Sequence, residues 1–299
     1  MRKLVLIALT IMLALAGWYL YAGMPLADTT PTLITGKTII SKTGNYVLGR
    51  DISCTAAGEM DTCIEIRANN AVLDCQGHSM TLKNRNIRAP ASTGIFMAGV
   101  RDVSIRNCRI ENFDFGIFLK GSYNNFTNNT ISNNGMGIYY DDYSSHNNFV
   151  NNTVSDNDNR GVYLFMRSSN NTFTGNTIRN NGIYGIIITC AAHHNTFSNN
   201  VIEGNGYDSI SGDSGGVYIL NSYANVFSSN RICNNSITVR CEFDPRMEST
   251  TEMCWLQELP HTVPIDANAE RAGALIDGGR NACQNPVSCD GTFISCSAC

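Results

Sequence analysis

Short runs of alternating apolar and polar residues recur through the middle of the chain. From Asn124 to Ile237, one phrase repeats: N-x-F-x-x-N-x-I-x-x-N, then Gly-Ile or Gly-Val. Its phenylalanines are spaced by 23, 24, 24 and 30 residues, and the aliphatic residues five positions later keep the same spacings. The two series are Phe126, Phe149, Phe173, Phe197 and Phe227, and Ile131, Val154, Ile178, Ile202 and Ile232. Brief alternating runs bounded by Asn, Gly and Ser predict short β-strands joined by turns.

The period of the repeat predicts how these strands are arranged. Three short strands in about 23 residues, stacked in register, make one coil of a parallel β-helix, in which each coil buries its inward side chains against the coils above and below. Parallel crossovers are right-handed. We therefore predict an all-β fold, a single-stranded right-handed parallel β-helix (a solenoid) of about seven or eight coils, with the repeated phenylalanines stacked inside.

Asparagines follow the same period in three series. Asn tolerates left-handed backbone at turns, and its amide can hydrogen-bond to the same amide one coil away, about 4.8 Å distant. We therefore predict that these residues form structural ladders. The series are Asn124, Asn147, Asn171, Asn195 and Asn225; Asn129, Asn152, Asn176, Asn200 and Asn230; and Asn134, Asn157, Asn181, Asn205 and Asn235.

The sequence also resembles a known group of proteins. The entry segment Thr43 to Leu48, the phrase Val72 to His78 and the Asn-rich coils resemble right-handed parallel β-helix proteins of the pectin-lyase-like superfamily, most of all the NosD-type domains. The resemblance covers about residues 36 to 240. It implies the fold, but the superfamily includes lyases, hydrolases, epimerases, adhesins and binding proteins, so it implies no single function.

The two ends of the chain differ from the repeats. Residues 1–27 contain Arg2-Lys3 and an uncharged run, which is typical of a signal peptide or of an N-terminal membrane anchor. Residues 28–63 are expected to form an N-terminal cap with entry strands, and residues 64–240 the coils. In residues 241–299 the repeat stops and six of the twelve cysteines occur, which predicts a disulfide-rich C-terminal cap.

The cysteines also indicate the cellular compartment in which the protein folds. Disulfides persist in oxidising surroundings, so with an export-type N-terminus they favour an extracytoplasmic protein, either secreted or anchored at the outer face of the membrane. Cys75 and Cys108 lie at matching places on neighbouring coils, and Cys54 and Cys63 flank a short loop. We predict that both pairs are bridged.

Charge narrows the range of partners. The chain has 25 acidic and 21 basic residues, a net charge of -4, and no cluster of cations beyond Arg2-Lys3. Binding to a phosphate backbone depends on clustered cations, so we expect no nucleic-acid partner.

The outward face of one strand in each coil is the main candidate site. Alternation places the residue after each Gly-Ile or Gly-Val pair outside, and this residue is aromatic in five of six coils: Phe96, Phe118, Tyr139, Tyr163 and Tyr218, with Ile187 as the exception. We call these five residues the aromatic stripe. It can stack on successive sugar rings, or the C-terminal 60 residues or a neighbouring subunit can cover it.

Acid-base chemistry has fewer candidates. A polysaccharide lyase or hydrolase needs clustered carboxylates, often with Arg or Lys, and the candidates here are Asp141, Asp142 and Arg167. Calcium is expected only if the protein is a lyase, and otherwise no cofactor. The resemblance to NosD-type domains suggests copper as a ligand of the adjacent His193 and His194. On an extended strand, however, their side chains would point to opposite sides, and no set of Met or Cys ligands accompanies them, so we expect no metal site.

Three classes of function remain. The favoured interpretation is a surface protein that binds polysaccharide or a cell-surface glycan through the aromatic stripe. The alternatives are a structural or adhesive subunit that forms a homo-oligomer, with the stripe buried against a second copy, and a polysaccharide lyase or hydrolase. If the N-terminal segment is not cleaved, the membrane is a further partner.

Overall fold

The computed structural model describes residues 30–55, 61–83, 85, 91–208 and 214–236, and the strands within 239–297. In this part of the chain all regular structure is β-strand, and no helix is long and apolar enough to cross a membrane. The predicted signal peptide or anchor at 1–27 lies outside the described residues. The strands belong to one compact unit, Thr32–Cys299.

The described strands form three parallel sheets, which run side by side along the solenoid. Sheet 1 contains, in spatial order, β1 (Thr32–Ile34), β3 (Gly44–Leu48), β6 (Ala71–Asp74), β9 (Ser104–Arg106), β12 (Asn125–Thr127), β15 (Asn148–Val150), β18 (Thr172–Thr174), β21 (Thr196–Ser198), β24 (Asn225–Ser228) and β27 (Leu275–Asp277).

Sheet 2 contains β4 (Ile52–Thr55), β7 (Ser79–Lys83), β10 (Arg109–Glu111), β13 (Thr130–Ser132), β16 (Thr153–Ser155), β19 (Thr177–Arg179), β22 (Val201–Glu203), β25 (Arg231–Cys233), β28 (Asn281–Cys283) and β31 (Cys296–Ser297). Sheet 3 contains β2 (Thr38–Ile40), β5 (Thr62–Ile66), β8 (Thr93–Arg101), β11 (Phe115–Ser122), β14 (Met136–Tyr140), β17 (Arg160–Leu164), β20 (Tyr184–Thr189), β23 (Gly215–Leu220) and β26 (Val239–Glu242).

Each coil takes one strand from sheet 1, then one from sheet 2, then one from sheet 3. The described strands from β3 to β26 form eight complete coils of this kind, which confirms the predicted solenoid. The first complete coil begins at Gly44, before the predicted boundary at residue 64, and β27 and β28 add to sheets 1 and 2 beyond residue 240. Near the C-terminus, β29 (Val287–Cys289) and β30 (Thr292–Ile294) pair antiparallel.

The interior is a stack of like side chains. The five repeated phenylalanines are fully buried, and successive rings stack nearly parallel with centroids 4.2, 4.9, 4.8 and 4.5 Å apart. Sheet 2 contributes Ile131, Val154, Ile178, Ile202 and Ile232 in register across the same coils. Because each interior position faces its own copy in the next coil, the sequence period is sufficient to predict this core.

The asparagine ladders are confirmed and are buried at the turns. Asn147 Oδ1 accepts hydrogen bonds from the backbone N–H and from Nδ2 of Asn124, and the pattern repeats through the coils in all three series. The ladder residues themselves do not have left-handed backbone. The left-handed residue is the one before, such as Asn128 before Asn129, because that turn aims the next amide inward.

Both predicted disulfides are present. Cys54 is bonded to Cys63, and Cys75 is bonded to Cys108. Cys190 and Cys233 are also disulfide-bonded. In the described part of the chain no cysteine is free, which agrees with folding in an oxidising compartment.

Candidate functional site

The aromatic stripe lies on the outer face of sheet 3. Phe96, Phe118, Tyr139 and Tyr163 pair in register on successive strands, and the column continues through Ile187 to Tyr218. Their alternate neighbours, such as Ile117 and Ile138, are buried. All five stripe residues are partly exposed. The alternation of the sequence therefore places these side chains correctly, on the outside of the solenoid.

Four successive rings of the stripe contact one another at steep angles instead of lying flat. Phe96 and Phe118 have centroids 5.4 Å apart at 73°, Phe118 and Tyr139 4.9 Å at 53°, and Tyr139 and Tyr163 5.4 Å at 78°. Aromatic pairs prefer such geometry because the positive ring edge meets the negative face. Over these four coils the surface therefore presents an apolar ridge in which edges and faces alternate, whereas Tyr218 stacks nearly parallel on Tyr184.

Two further phenylalanines widen this ridge and were not predicted. Phe115 contacts Phe118 and Tyr139, both at 5.5 Å, and Phe165 contacts Tyr163 at 5.4 Å. Strict alternation from Ile117 would place Phe115 inside the solenoid.

The glycine before Ile117 explains why Phe115 lies outside. A Cβ on Gly116 would meet the Ile131 side chain at 2.5 Å and the carbonyl oxygen of Gly137 at 2.7 Å, so Gly116 also faces the interior. Two consecutive inward positions break the alternation. The Gly-Ile pairs were the signal in the sequence that could have revealed this.

The stripe column also extends beyond the predicted residues at its N-terminal end. Glu65 is in register with Phe96, and Ile39 is in register with Glu65. Ile39 is 54% exposed, and Glu65 accepts two hydrogen bonds from Arg67, at 2.7 and 2.8 Å. At the other end, Arg240 is in register with Tyr218. On its N-terminal side, the outward column thus carries the charge of Glu65 next to its aromatic part.

The candidate acid-base residues lie at one margin of the ridge. Asp141 forms an ion pair with Lys120, with Nζ and Oδ2 3.6 Å apart. Arg167 instead donates a hydrogen bond to the Tyr143 hydroxyl at 2.7 Å. Asp141, Asp142 and Arg167 therefore lie near one another, but Asp141 pairs with Lys120 and Arg167 bonds to Tyr143.

Asp142 differs from its neighbour. Its Oδ1 atom is buried and, among the described residues, has no hydrogen-bond partner. Burial and the adjacent Asp141 raise the pKa of the Asp142 carboxyl, and Lys120 and Arg167 oppose this effect. Burial, Asp141 and Tyr163 raise the pKa of Tyr139 to about 12, so this phenol is protonated at neutral pH.

Arg160 lies at the opposite margin of the ridge. Its guanidinium carbon is 4.9 Å from the centre of the Tyr163 ring, and Nη1 is 3.9 Å from the sulfur of Met136. Its Nε atom is buried without a hydrogen-bond partner among the described residues. Within that part of the chain Arg160 forms no ion pair with a carboxylate. Within the described ranges, Arg160 is thus a cation beside the stripe that no carboxylate neutralises.

In the described ranges there is no group of three or more His, Cys, Asp or Glu residues that could hold a metal ion. The carboxylates Asp141 and Asp142 therefore do not form part of a larger acidic cluster there. His193 and His194 do lie close together, at the turn between sheets 3 and 1, and burial lowers the pKa of His193.

Comparison with known proteins agrees with the fold. Residues 63–232 match the family described as the right-handed β-helix region. The chain belongs to the right-handed β-helix family. A sequence search of curated proteins finds no significant match to this β-helix protein. The family match is general, and the closer resemblance to NosD-type domains remains a prediction.

Solved structures of similar fold include two alginate enzymes. An alginate lyase from Paenibacillus sp. str. FPU-7 has a TM-score of 0.55 and 12% sequence identity, with 72% of this chain and 86% of the lyase aligned. A point mutant of the periplasmic alginate epimerase AlgG has a TM-score of 0.50 and 14% identity, with 72% of this chain and 61% of the epimerase aligned. At such identities the likeness supports the fold alone.

Proposed function

We propose that this β-helix protein binds a polysaccharide along the aromatic stripe. The observation that carries the proposal is that five aromatic side chains occupy one outward column of sheet 3 and remain partly exposed. Each coil adds about 4.8 Å along the axis, so the column offers repeated apolar contacts to an extended chain of sugars. Such a ladder gives affinity without a deep pocket.

Arg160 favours an anionic polysaccharide. Its guanidinium lies against Tyr163 and has no carboxylate partner among the described residues, whereas Lys120 is already paired with Asp141. A guanidinium binds a carboxylate through two parallel hydrogen bonds, which suits a uronic acid. The lyase and the epimerase of similar fold are named for alginate, which is a polyuronate, and this agrees with a ligand of the same class.

We place this binding outside the cytoplasm. The two bridges Cys54–Cys63 and Cys75–Cys108 persist in an oxidising compartment, and the epimerase of similar fold is a periplasmic protein. Whether the protein is secreted or anchored depends on residues 1–27, which are outside the described part of the chain.

A second candidate function is cleavage of the bound polysaccharide. It is favoured by Asp142, whose Oδ1 atom is buried without a partner among the described residues and whose carboxyl pKa is raised. A carboxyl group with a raised pKa is suited to proton transfer near neutral pH. In this alternative, Asp141 and Arg167 assist Asp142, and calcium is a possible cofactor of a lyase. Release of unsaturated sugars that Asp142→Asn abolishes would support it.

The test of binding is affinity gel electrophoresis with alginate, pectate and a neutral glucan in the gel. The variant Tyr139→Ala/Tyr163→Ala removes two adjacent rings, each contributing about 1 kcal/mol, so the dissociation constant should rise roughly thirtyfold. Tyr207→Ala is the matched control, because Tyr207 is 66% exposed and lies off the stripe. The polysaccharide in the gel should slow the Tyr207→Ala variant as much as it slows the wild type.

Two outcomes would contradict the proposal. If the double variant unfolds well below the wild-type temperature, the rings pack beneath another segment or subunit. If the wild type sediments as an oligomer and the double variant sediments as a monomer, the stripe is a contact between copies, as expected for a structural or adhesive subunit. In both cases the polysaccharide-binding function would lose its support.

A further inference from the structure

Two of the three corners of the solenoid use the residues that suit their backbone. At each corner, the residue before the ladder position has left-handed backbone. Between β8 and β26, the corners that join sheet 1 to sheet 2 and sheet 2 to sheet 3 have only Asn, Gly, Asp or Ser there. Gly, Asn and Asp adopt this conformation at little cost. The residues are Asn107, Asn128, Asn151, Gly175, Asn199 and Ser229, and Asn112, Asn133, Asp156, Asn180, Gly204 and Asn234.

The corner that joins sheet 3 to sheet 1 has bulkier residues at the same position. Tyr123 has φ 62° and His146 has φ 56°, and earlier in the same turns Tyr143 and Arg167 are also left-handed, both with φ 56°. A Cβ crowds the backbone in this conformation, so each of these residues costs free energy that Asn or Gly would save. Before the ladder position, this corner has Asp102, Tyr123, His146, Asn170, His194 and Ala224.

Burial does not compensate for this cost. Tyr123 and Tyr143 are each 56% exposed, His146 is exposed, and Arg167 is half-buried. A large side chain in the core regains free energy by leaving water, but these side chains remain largely in it. Strained backbone that the surrounding packing does not require is typical of residues that contact a ligand.

The four side chains form two ordered pairs. The Tyr123 ring stacks on the His146 ring, with centroids 4.7 Å apart at 12°. These two residues lie on successive coils, so their stack runs along the solenoid axis, parallel to the aromatic stripe. Arg167 donates its hydrogen bond to the Tyr143 hydroxyl at 2.7 Å, and its guanidinium carbon is 5.5 Å from the centre of the Tyr143 ring. The corner therefore presents aromatic rings together with fixed polar groups.

This corner continues the ridge of sheet 3. Phe165 contacts Tyr163 at 5.4 Å and lies two residues before Arg167. On the other side of the corner, the exposed Asn148 donates a hydrogen bond to the exposed Asn125 at 3.2 Å. Sugars combine apolar ring faces with hydroxyl groups, so rings beside hydrogen-bonding groups suit them. The guanidinium of Arg167 suits the carboxylate of a uronic acid.

We propose that Tyr123, Tyr143, His146 and Arg167 form a second polysaccharide-binding surface, which we call the corner surface. The proposal rests on the proposed function of the stripe and extends it. A sugar chain that follows the stripe along the axis does not also follow a parallel column, so the corner surface binds a neighbouring chain. The ligand is therefore a polyuronate whose chains lie side by side, as in an insoluble gel, and not a single dissolved chain.

The test compares soluble alginate with calcium-alginate particles as ligands of the full, disulfide-bonded chain. The variant Tyr123→Asn/His146→Asn introduces the residue that the other corners use most often at this position. Its dissociation constant for the particles, measured by sedimentation, should rise roughly tenfold, because two rings are lost. Its dissociation constant for soluble alginate, measured by affinity gel electrophoresis, should equal that of the wild type, because the stripe is intact.

The melting temperature shows whether the two rings serve the fold. That of Tyr123→Asn/His146→Asn should equal or exceed the wild-type value, because Asn adopts left-handed backbone more readily than Tyr or His. Tyr143→Ala is a second variant, since Ala191 has the same backbone, with φ 58°, two coils further on. It should also weaken binding to the particles and leave binding to soluble alginate unchanged.

Ala224→Asn is the matched control. Ala224 occupies the same turn position, with φ 52°, but has no large side chain to lose. This variant should leave binding to both ligands unchanged.

Three outcomes would overturn the corner surface. They are unchanged particle binding in both corner variants, equal losses for particles and soluble alginate, and a melting temperature of Tyr123→Asn/His146→Asn well below that of the wild type. The stripe variant Tyr139→Ala/Tyr163→Ala should lose binding to both ligands. If it keeps both, the proposed function of the stripe fails, whereas unchanged particle binding in the corner variants contradicts the corner surface alone.

Discussion

Asn152 Oδ1 accepts two hydrogen bonds from Asn129, at 2.9 Å from the backbone N–H and 3.0 Å from Nδ2. Its own Nδ2 donates to the carbonyl oxygen of Phe126 and to Asn176 Oδ1, both at 3.0 Å. One buried amide thus joins three coils. Because each bond satisfies a group that has no access to water, the ladder stabilises the turns and also fixes the stacking of one coil on the next.

Replacement of Asn152 by Ala should therefore be costly. It leaves the Asn129 donors and the Phe126 carbonyl without their partner, and each buried polar group left unpaired costs ~1 to 3 kcal/mol. We expect the free energy of unfolding to fall by roughly 3 to 6 kcal/mol, measured by denaturant titration. Asn148→Ala is the control, because Asn148 is exposed, and its loss should stay within about 0.5 kcal/mol.

The stacked phenylalanines give a second prediction. Phe173 is buried between Phe149 and Phe197, at centroid distances of 4.9 and 4.8 Å. Phe173→Ala should cost ~3 to 5 kcal/mol, because rings on both sides prevent the cavity from collapsing. Phe165→Ala removes a partly exposed ring from the outer face and should cost less than half as much. Equal losses would show that the interior stack contributes no special stability.

A third prediction concerns the interior hydroxyl of Tyr140. This side chain is fully buried, and its hydroxyl has no hydrogen-bond partner among the described residues. Tyr140→Phe should raise the free energy of unfolding by about 1 kcal/mol, because it removes an unpaired polar group and preserves the ring. A loss of stability would instead reveal a partner for the hydroxyl inside the solenoid.

The same substitution should change the response to alkali. Burial raises the pKa of Tyr140 well above its ordinary value of 10.0. Above pH ~10 the unfolded chain loses this proton and the folded chain keeps it, so the unfolded state binds fewer protons and stability falls as pH rises. Below pH ~10 both states keep the Tyr140 proton, so the free energy of unfolding is not reduced there. Tyr140→Phe should therefore move the alkaline unfolding midpoint, followed by circular dichroism, to higher pH.

The bridge between Cys75 and Cys108 gives a fourth prediction. These cysteines are 33 residues apart, whereas Cys54 and Cys63 are only 9 apart. In the chain-entropy account, the longer loop stabilises by roughly 4 kcal/mol and the shorter by roughly 2.5. Cys75→Ser/Cys108→Ser should therefore lower the unfolding midpoint more than Cys54→Ser/Cys63→Ser. Mass mapping without reduction should recover both bridges from the wild type.

The fifth prediction separates charge from stacking in ligand binding. If the polysaccharide carries carboxylates, Arg160→Gln should weaken binding to alginate roughly tenfold, because one charge-assisted pair between guanidinium and carboxylate is lost. Binding to a neutral glucan should be unchanged. Arg179→Gln is a suitable control, since Arg179 is an exposed residue of sheet 2. An equal loss for the neutral glucan would mean that Arg160 acts only by supporting Tyr163.

The parts of the structure that repeat were predictable from the sequence. Phe173 and Asn152 each face their own copy in the adjacent coil, so a period in the sequence is sufficient to place them. The same reasoning placed Tyr139 and Tyr163 on the outside, in register. It also paired Cys75 with Cys108, which occupy matching places on neighbouring coils.

Features that depend on a single backbone angle or on one side-chain rotamer were not predictable in this way. Phe115 is outside because both Gly116 and Ile117 face the interior, which breaks the period of two. His193 and His194 converge because of one left-handed residue. The contact of Arg160 with Tyr163 depends on how a long flexible side chain lies across the surface. The Gly-Ile pairs are a sequence signal for the first of these arrangements, whereas no spacing in the sequence encodes the other two.

The coil that contains Asn205 is longer than its neighbours, yet its ladder is uninterrupted. Asn205 bonds to Asn235, 30 residues later, with the same geometry that joins Asn181 to Asn205 across 24. The additional residues enter between Asn205 and Gly216, which are eleven positions apart where Asn181 and Gly185 are four apart. Extra sequence at that corner leaves the interior contacts intact. Through such a corner, a solenoid of this kind can acquire new surface chemistry while its scaffold is inherited unchanged.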